Sequence, residues 1–248
     1  MEKIRTIIIE DEKPARELVK NYLQSYDFVE LVGEFSDGFA GIKGINELKP
    51  DLVFLDVQMP KLNGFEMLEL LDELPIIVFT TAFDQYAIKA FEVNAVDYLL
   101  KPFSKDRMAE AIDKVKEKLA SKTTEGPNVK KMVEDFHDGD LERIVVKTRN
   151  KILVVPVENI KYFESQDDYV MIYAEEGKFL KQKTMKFFEN NLNPGKFIRV
   201  HRSYIANVDY IDQLERYEKD SYLLILKDGS KLKVSKSGLQ TLKSKLEF

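Results

Sequence analysis

The chain has 248 residues, 44% apolar and 33% charged, enough to bury real cores in one large domain or two ordinary ones. It holds no cysteine and only two histidines, His137 and His201, which excludes disulfides, cysteine-bound zinc and a histidine-rich metal site. The net charge of −5 is uneven: residues 1–120 carry 15 Lys+Arg against 23 Asp+Glu, and residues 141–248 carry 20 against 15. An acidic half joined to a basic half suggests two tasks, with a polyanion as candidate partner of the second. No apolar run approaches the ~18 residues that a membrane span needs. The start, Met1-Glu2-Lys3-Ile4-Arg5, leads into a strand pattern without a signal-peptide core. A cytoplasmic protein with no membrane partner is expected.

Residues 1–120 alternate strand and helix patterns, the sign of a doubly wound parallel sheet. Strands are expected at 5–10, 29–35, 52–56, 76–80 and 97–100. Helices are expected at 14–24, where Pro14 suits a first turn, at 39–48, stopped by Pro50, and after Gly64, with Phe65, Leu68 and Leu71 on one face. Two more are expected at 84–93 and at 105–119, the latter with Met108, Ile112, Val115 and Leu119 at helical spacing. Residues 121–140 are polar around a Gly-Pro pair and read as a linker, with a short helix at 129–136.

From residue 141 onward the pattern changes to short strands, at 143–147, 151–156, 160–165, 169–174, 178–183, 197–200, 204–206, 210–215, 221–226 and 231–234. Glu175-Glu176-Gly177 and Lys227-Asp228-Gly229 read as hairpin turns. Helices are expected at 185–191 and 236–246. The fold class is therefore an α/β domain with five parallel strands (1–120), a linker (121–140) and a mainly β domain (141–248).

Chemistry gathers at the carboxyl ends of the first five strands, where open α/β sheets bind ligands. Glu10-Asp11-Glu12 follows strand one, Asp56 ends strand three, Thr81 follows strand four and Lys101-Pro102 follows strand five. Acids, a hydroxyl and an ammonium in one place suit Mg²⁺ and a phosphoryl group. Carboxylate nucleophiles form aspartyl phosphates.

As an ordered set, Glu10-Asp11, Asp56, Thr81-Ala82 and Lys101-Pro102 resemble the receiver domain of two-component response regulators. The resemblance implies Asp56 as phosphoacceptor and a sensor histidine kinase as donor. It implies Asp11, Asp56 and the Gln58 backbone carbonyl as Mg²⁺ ligands, with Glu10 acting through water. Thr81 is the implied switch hydroxyl, Tyr98 the switch aromatic that turns inward, and Lys101 the phosphate-neutralising lysine. A cis bond is expected before Pro102. Phe83, two residues after Thr81 and near the route of attacking water, leads us to expect slow hydrolysis of the phosphate. Phosphorylation is expected to promote a homodimer through a surface that includes Phe91, Asp97, Arg107 and Lys114; core packing is the other reading of Phe91.

The second half holds Phe197-Ile198-Arg199-Val200-His201-Arg202-Ser203-Tyr204, with Ile160 to Ser165 upstream and Leu232-Lys233-Val234-Ser235-Lys236 downstream. These strings resemble the LytTR-type DNA-binding domain of LytR/AlgR-like regulators. The resemblance implies that loops enter successive major grooves of double-stranded DNA. Arg202 is expected to read a base, guanine by preference, with Lys236 at a second position and Gln166 or Tyr169 at a third. Arg199, Lys181 and Lys183 are candidate phosphate contacts, the two lysines equally a solvated strand face. His201 is equally a DNA contact or a structural residue. The whole reads as a phosphorylation-dependent transcription regulator, not an enzyme. A phosphorylation-controlled protein-binding module remains the alternative. A metal-dependent phosphatase fits less well, because Gln58 cannot serve as the acid of an Asp-x-Asp pair.

Overall fold

A computed structural model of the chain describes residues 3–82, 95–121, 140–148, 151–218 and 221–246. The helix expected at 84–93, residues 122–139 of the linker with its expected helix at 129–136, Phe83, Phe91 and His137 lie outside these residues. The chain divides into two compact units, 1–133 and 134–248.

The first unit runs β1 (Ile4–Ile9), α1 (Lys13–Leu23), β2 (Val29–Phe35), α2 (Gly38–Leu48), β3 (Leu52–Asp56), α3 (Gly64–Glu69), β4 (Ile76–Thr81), β5 (Asp97–Leu100) and α4 (Lys105–Ala120). Its sheet has the order β2-β1-β3-β4-β5, and every neighbouring pair is parallel. The central strand β3 is buried along its whole length, and this explains its unbroken apolar run. Ile8, Phe54, Val78 and Leu99 pack on one face against Val19 of α1 and Met108, Ile112 and Val115 of α4. Side chains of this size each contribute about 1.5–3 kcal/mol on full burial.

Helix ends follow their local chemistry. Pro14 stands in the first turn of α1, the Asp37 side chain accepts from the Ala40 amide at the start of α2, and Ser104 caps α4. Asn63 and Glu66 form a reciprocal capping box at α3. The α3 helix is shorter than its apolar face suggests; it stops at Glu69, yet Leu71 is still buried beyond it. Gly64 is required by contact: a Cβ there would stand 2.5 Å from the Asp56 carbonyl oxygen. Only glycine lets the α3 start lie against the end of β3.

The second unit comprises β6 (Arg143–Lys147), β7 (Ile152–Pro156), β8 (Ile160–Gln166), β9 (Tyr169–Ala174), β10 (Gly177–Lys181), α5 (Met185–Asn191), β11 (Phe197–His201), β12 (Tyr204–Asn207), β13 (Ile211–Glu218), β14 (Ser221–Leu226), β15 (Lys231–Val234) and α6 (Lys236–Leu246). A five-stranded sheet, β10-β9-β8-β12-β11, is accompanied by a three-stranded sheet, β13-β14-β15, and the β6-β7 pair. The central sheet is apolar on both faces. Phe163, Ile172 and Ile205 pack with β6, β7 and α5. Tyr162, Ile198, Val200 and Ala206 pack with Leu224, Leu226, Leu232 and Leu242. Strand β10 ends two residues earlier than expected, because the Lys183 amide turns back to the Lys181 carbonyl at 3.0 Å. Thr184 then caps α5.

Candidate functional site

The ends of β1, β3, β4 and β5 bring Glu10, Asp56, Thr81 and Lys101 together. The Lys101 ammonium bridges Glu10 Oε2 at 2.6 Å and Asp56 Oδ2 at 3.0 Å. Its own amide donates to the Thr81 carbonyl at 2.7 Å, and this ties the ends of β4 and β5. The Lys101–Pro102 peptide is cis, as expected. The Gln58 amide donates to Asp56 Oδ1 at 3.2 Å. Arg16 of α1 donates to the Glu10 carbonyl at 2.5 Å and steadies the turn after β1.

Glu10 is fully buried and Asp56 nearly so. Burial, helped by the Asp56 charge and opposed by Lys101, pushes the Glu10 carboxyl up to about 7. Burial also raises Asp56, against the pull of Lys101. Burial alone would lower Lys101, but the two acids outweigh it and keep the ammonium charged. One carboxylate oxygen each from Glu10, Asp11 and Asp56 lies within 4.8 Å of the others. Among the described residues, three acids thus gather around the Lys101 ammonium. These hard oxygen donors fit Mg²⁺.

Thr81 is buried at the end of β4. The Tyr98 ring lies inward, 8% exposed and 6.4 Å from Phe79 between centroids. Asp97, Arg107 and Lys114, expected at a dimer surface, are engaged with one another. Arg107 grips both oxygens of buried Asp97 at 2.6 and 2.8 Å and also the Tyr98 carbonyl at 2.9 Å. Lys114 adds a third bond at 3.0 Å.

In the second unit, three loops named from sequence meet at one end of the central sheet. Arg202 and Ser203 form the β11–β12 turn, and the Ser165 amide at the end of β8 donates to the Ser203 carbonyl at 2.9 Å. That contact places the Gln166–Tyr169 turn beside Arg202. Its Asp167 has φ 49°, a left-handed conformation that a short polar side chain tolerates. The Ser235 amide donates to the Val200 carbonyl at 2.9 Å, bringing Lys236, the first residue of α6, to the same end. A Cβ on Gly238 would stand 2.0 Å from that carbonyl oxygen, so glycine permits the helix to dock this closely.

Arg202, Lys236, Gln166 and Tyr169 are exposed at this end, alongside Asp167 and Asp168. Among the described residues no carboxylate pairs with Arg202. His201 Nδ1 accepts from the Ser203 amide at 3.2 Å, which makes the ring a brace of the turn in its neutral form. Burial, then Arg202, Lys233 and Arg199, holds it below the usual histidine range.

One candidate phosphate contact is corrected. Lys183 is buried, with its ammonium 4.7 Å from the centre of the Phe187 ring. Lys181 reaches across to the Val145 carbonyl at 3.0 Å and binds β10 to β6. Lys183 serves internal packing, with its ammonium resting on an aromatic face. Sequence reasoning also missed Glu164, which accepts from the hydroxyls of Tyr173 at 2.6 Å and Tyr204 at 3.0 Å. Alternation along β8 hints only that Glu164 and Tyr162 share a face.

A response regulator receiver domain model matches residues 6–113, and a LytTr DNA-binding domain model matches residues 150–247. The sensory transduction protein LytT of Bacillus anthracis is 33% identical, over 99% of this chain and 100% of that protein. The transcriptional regulatory protein BtsR of Escherichia coli is 32% identical, over 97% and 98%. Among solved structures, a LytTr DNA-binding domain from Bacillus cereus is similar at 29% identity and TM-score 0.41, over 44% of this chain and 99% of that one. The response regulatory domain of mrkE from Klebsiella pneumoniae is similar at 32% identity and TM-score 0.44, over 48% and 99%. The chain belongs to the two-component response regulators that join a receiver domain to a LytTR DNA-binding domain. A receiver implies a histidine kinase partner, and a LytTR domain implies DNA binding and transcription regulation. No described helix is long and apolar enough to cross a membrane.

Proposed function

We propose that Asp56 accepts a phosphoryl group from a sensor histidine kinase and that this event raises the affinity of the second domain for paired DNA repeats. The observation that carries the reading is the Asp56 carboxylate held 3.0 Å from Lys101 and grouped with Glu10 and Asp11. An Asp56 oxygen bonds to phosphorus as the phosphorus–nitrogen bond of the donor phosphohistidine breaks, and the leaving imidazole takes up a proton. Lys101 neutralises charge on the transferred group. Asp11, Asp56 and the Gln58 carbonyl, with Glu10 behind them, would hold Mg²⁺, which supplies further neutralisation. Thr81 is the hydroxyl at hand for the new phosphate.

The phosphorylated receivers then dimerise. Two linked DNA modules gain avidity through effective concentration, without new base contacts. Arg202 and Lys236 read bases, and Gln166 or Tyr169 supplies the third contact. The test is phosphoryl uptake by the full chain, mapped by mass spectrometry. Uptake at Asp56 that is absent in Asp56→Asn supports the reading; uptake that survives this change contradicts it.

A further inference from the structure

The turn that carries Arg202 is held by another arginine. Arg199 lies three residues earlier on β11, and its guanidinium makes three contacts in different directions. One terminal nitrogen meets Glu189 Oε2 of α5 at 2.5 Å. The other donates to the Arg202 carbonyl at 2.8 Å, and Nε donates to the His201 carbonyl at 3.4 Å. The β11–β12 ladder is irregular here: its register shifts between Arg199 and His201. His201 ends β11 and Arg202 stands in the turn beyond it, where carbonyls need partners outside a regular ladder. Arg199 supplies donors to both. Its charge meets the Glu189 carboxylate, and its side chain is 28% exposed.

We infer that Arg199 is a positioning residue rather than a phosphate contact, and that Glu189–Arg199 form a brace that fixes the turn presenting Arg202 to a base edge. This rests on the reading of Arg202 as a base contact. A planar fork with five donors can serve a carboxylate and two carbonyls at once; a lysine ammonium is a point charge and cannot match that arrangement. Bidentate base reading demands fixed geometry, so a loose turn lowers specificity more than it lowers general affinity for DNA.

The two roles predict opposite outcomes. A phosphate contact freed from its acid binds DNA better, so Glu189→Gln would strengthen binding to every duplex. A brace without its anchor reads worse. The full chain is titrated at several salt concentrations with a duplex it has selected from a randomised pool, and with a shuffled duplex of equal length. For the brace, Glu189→Gln and Arg199→Lys each cut the ratio of selected to shuffled affinity about ten-fold. They leave the salt slope unchanged, and the double variant loses little more than either single one. Thermal unfolding confirms that each variant is folded. Wild-type selectivity in both variants, a stronger Glu189→Gln, or a salt slope that falls by about one in Arg199→Ala overturns the brace. A wild-type chain that selects no sequence removes the base-reading role of Arg202, and the inference falls with it.

Discussion

The two domains place their functional side chains by different rules. In the receiver, each candidate residue stands where a parallel strand ends, so the topology itself assembles Glu10, Asp56, Thr81 and Lys101. In the LytTR domain, the candidates stand on turns between antiparallel strands and at a helix start. Their convergence depends on single contacts, such as Ser165 to Ser203 and Ser235 to Val200. A site at strand ends survives small local changes, whereas a site made of turns depends on each brace.

That contrast can be tested at several strengths. The largest effect is expected in the receiver, where Lys101→Met removes the ammonium shared by Glu10 and Asp56. Phosphoryl uptake by Asp56 should slow about 10²-fold, as for loss of one charge-stabilising donor. Stopped-flow or quench measurements of uptake check this, and an unchanged rate would deny Lys101 its role. Mg²⁺ should raise the unfolding free energy of the full chain by about 2.7 kcal/mol at a hundred times its Kd. Asp11→Asn should abolish most of that gain in denaturant titrations, while Asp51→Asn, outside the cluster, should keep it.

In the LytTR domain the effects are smaller and more local. Arg202→Ala should cost about 1–3 kcal/mol on selected DNA and relax one base position. Lys183→Ala should leave DNA affinity and its salt slope intact, yet lower stability, because it removes a buried stem. A drop in salt slope for Lys183→Ala would return it to the phosphate contacts.

The smallest effect is a pH dependence in the receiver. Burial works to raise the Asp97 carboxyl, but hydrogen bonds from Arg107 and Lys114 outweigh it and hold the group below its usual 3.8. The folded state thus favours the ionised form. Its contribution is present above the unfolded value near 3.8 and is lost as pH falls through the lower folded value. Asp97→Asn should flatten that acid limb in unfolding titrations, and an unchanged limb would show that Arg107 and Lys114 do not hold the carboxylate.

How far the sequence carried the account follows the same divide. Asp56 after Leu52-Val53-Phe54-Leu55 announced both a buried strand and a carboxylate at its end, and Pro14 announced the first turn of α1. The early stop of α3 was not visible, since Leu71 is buried whether or not it is helical. Lys181 and Lys183 look alike in sequence, but a tight turn after β10 sends one to the Val145 carbonyl and the other beneath the surface over Phe187. Glu189 carried no signal at all. Its value arises only when α5 is laid beside β11. Period-two alternation says which face a strand residue takes; it does not say what a turn residue meets.

The most direct test of the central claim is selection of genomic fragments by the full chain at near-physiological salt, with Asp56 phosphorylated and not. The account predicts enrichment of paired short repeats, stronger after phosphorylation, with the gain lost in Asp56→Asn. Equal enrichment in both states would contradict the coupling. No enrichment in either state would contradict the DNA-reading role and turn attention to a protein partner.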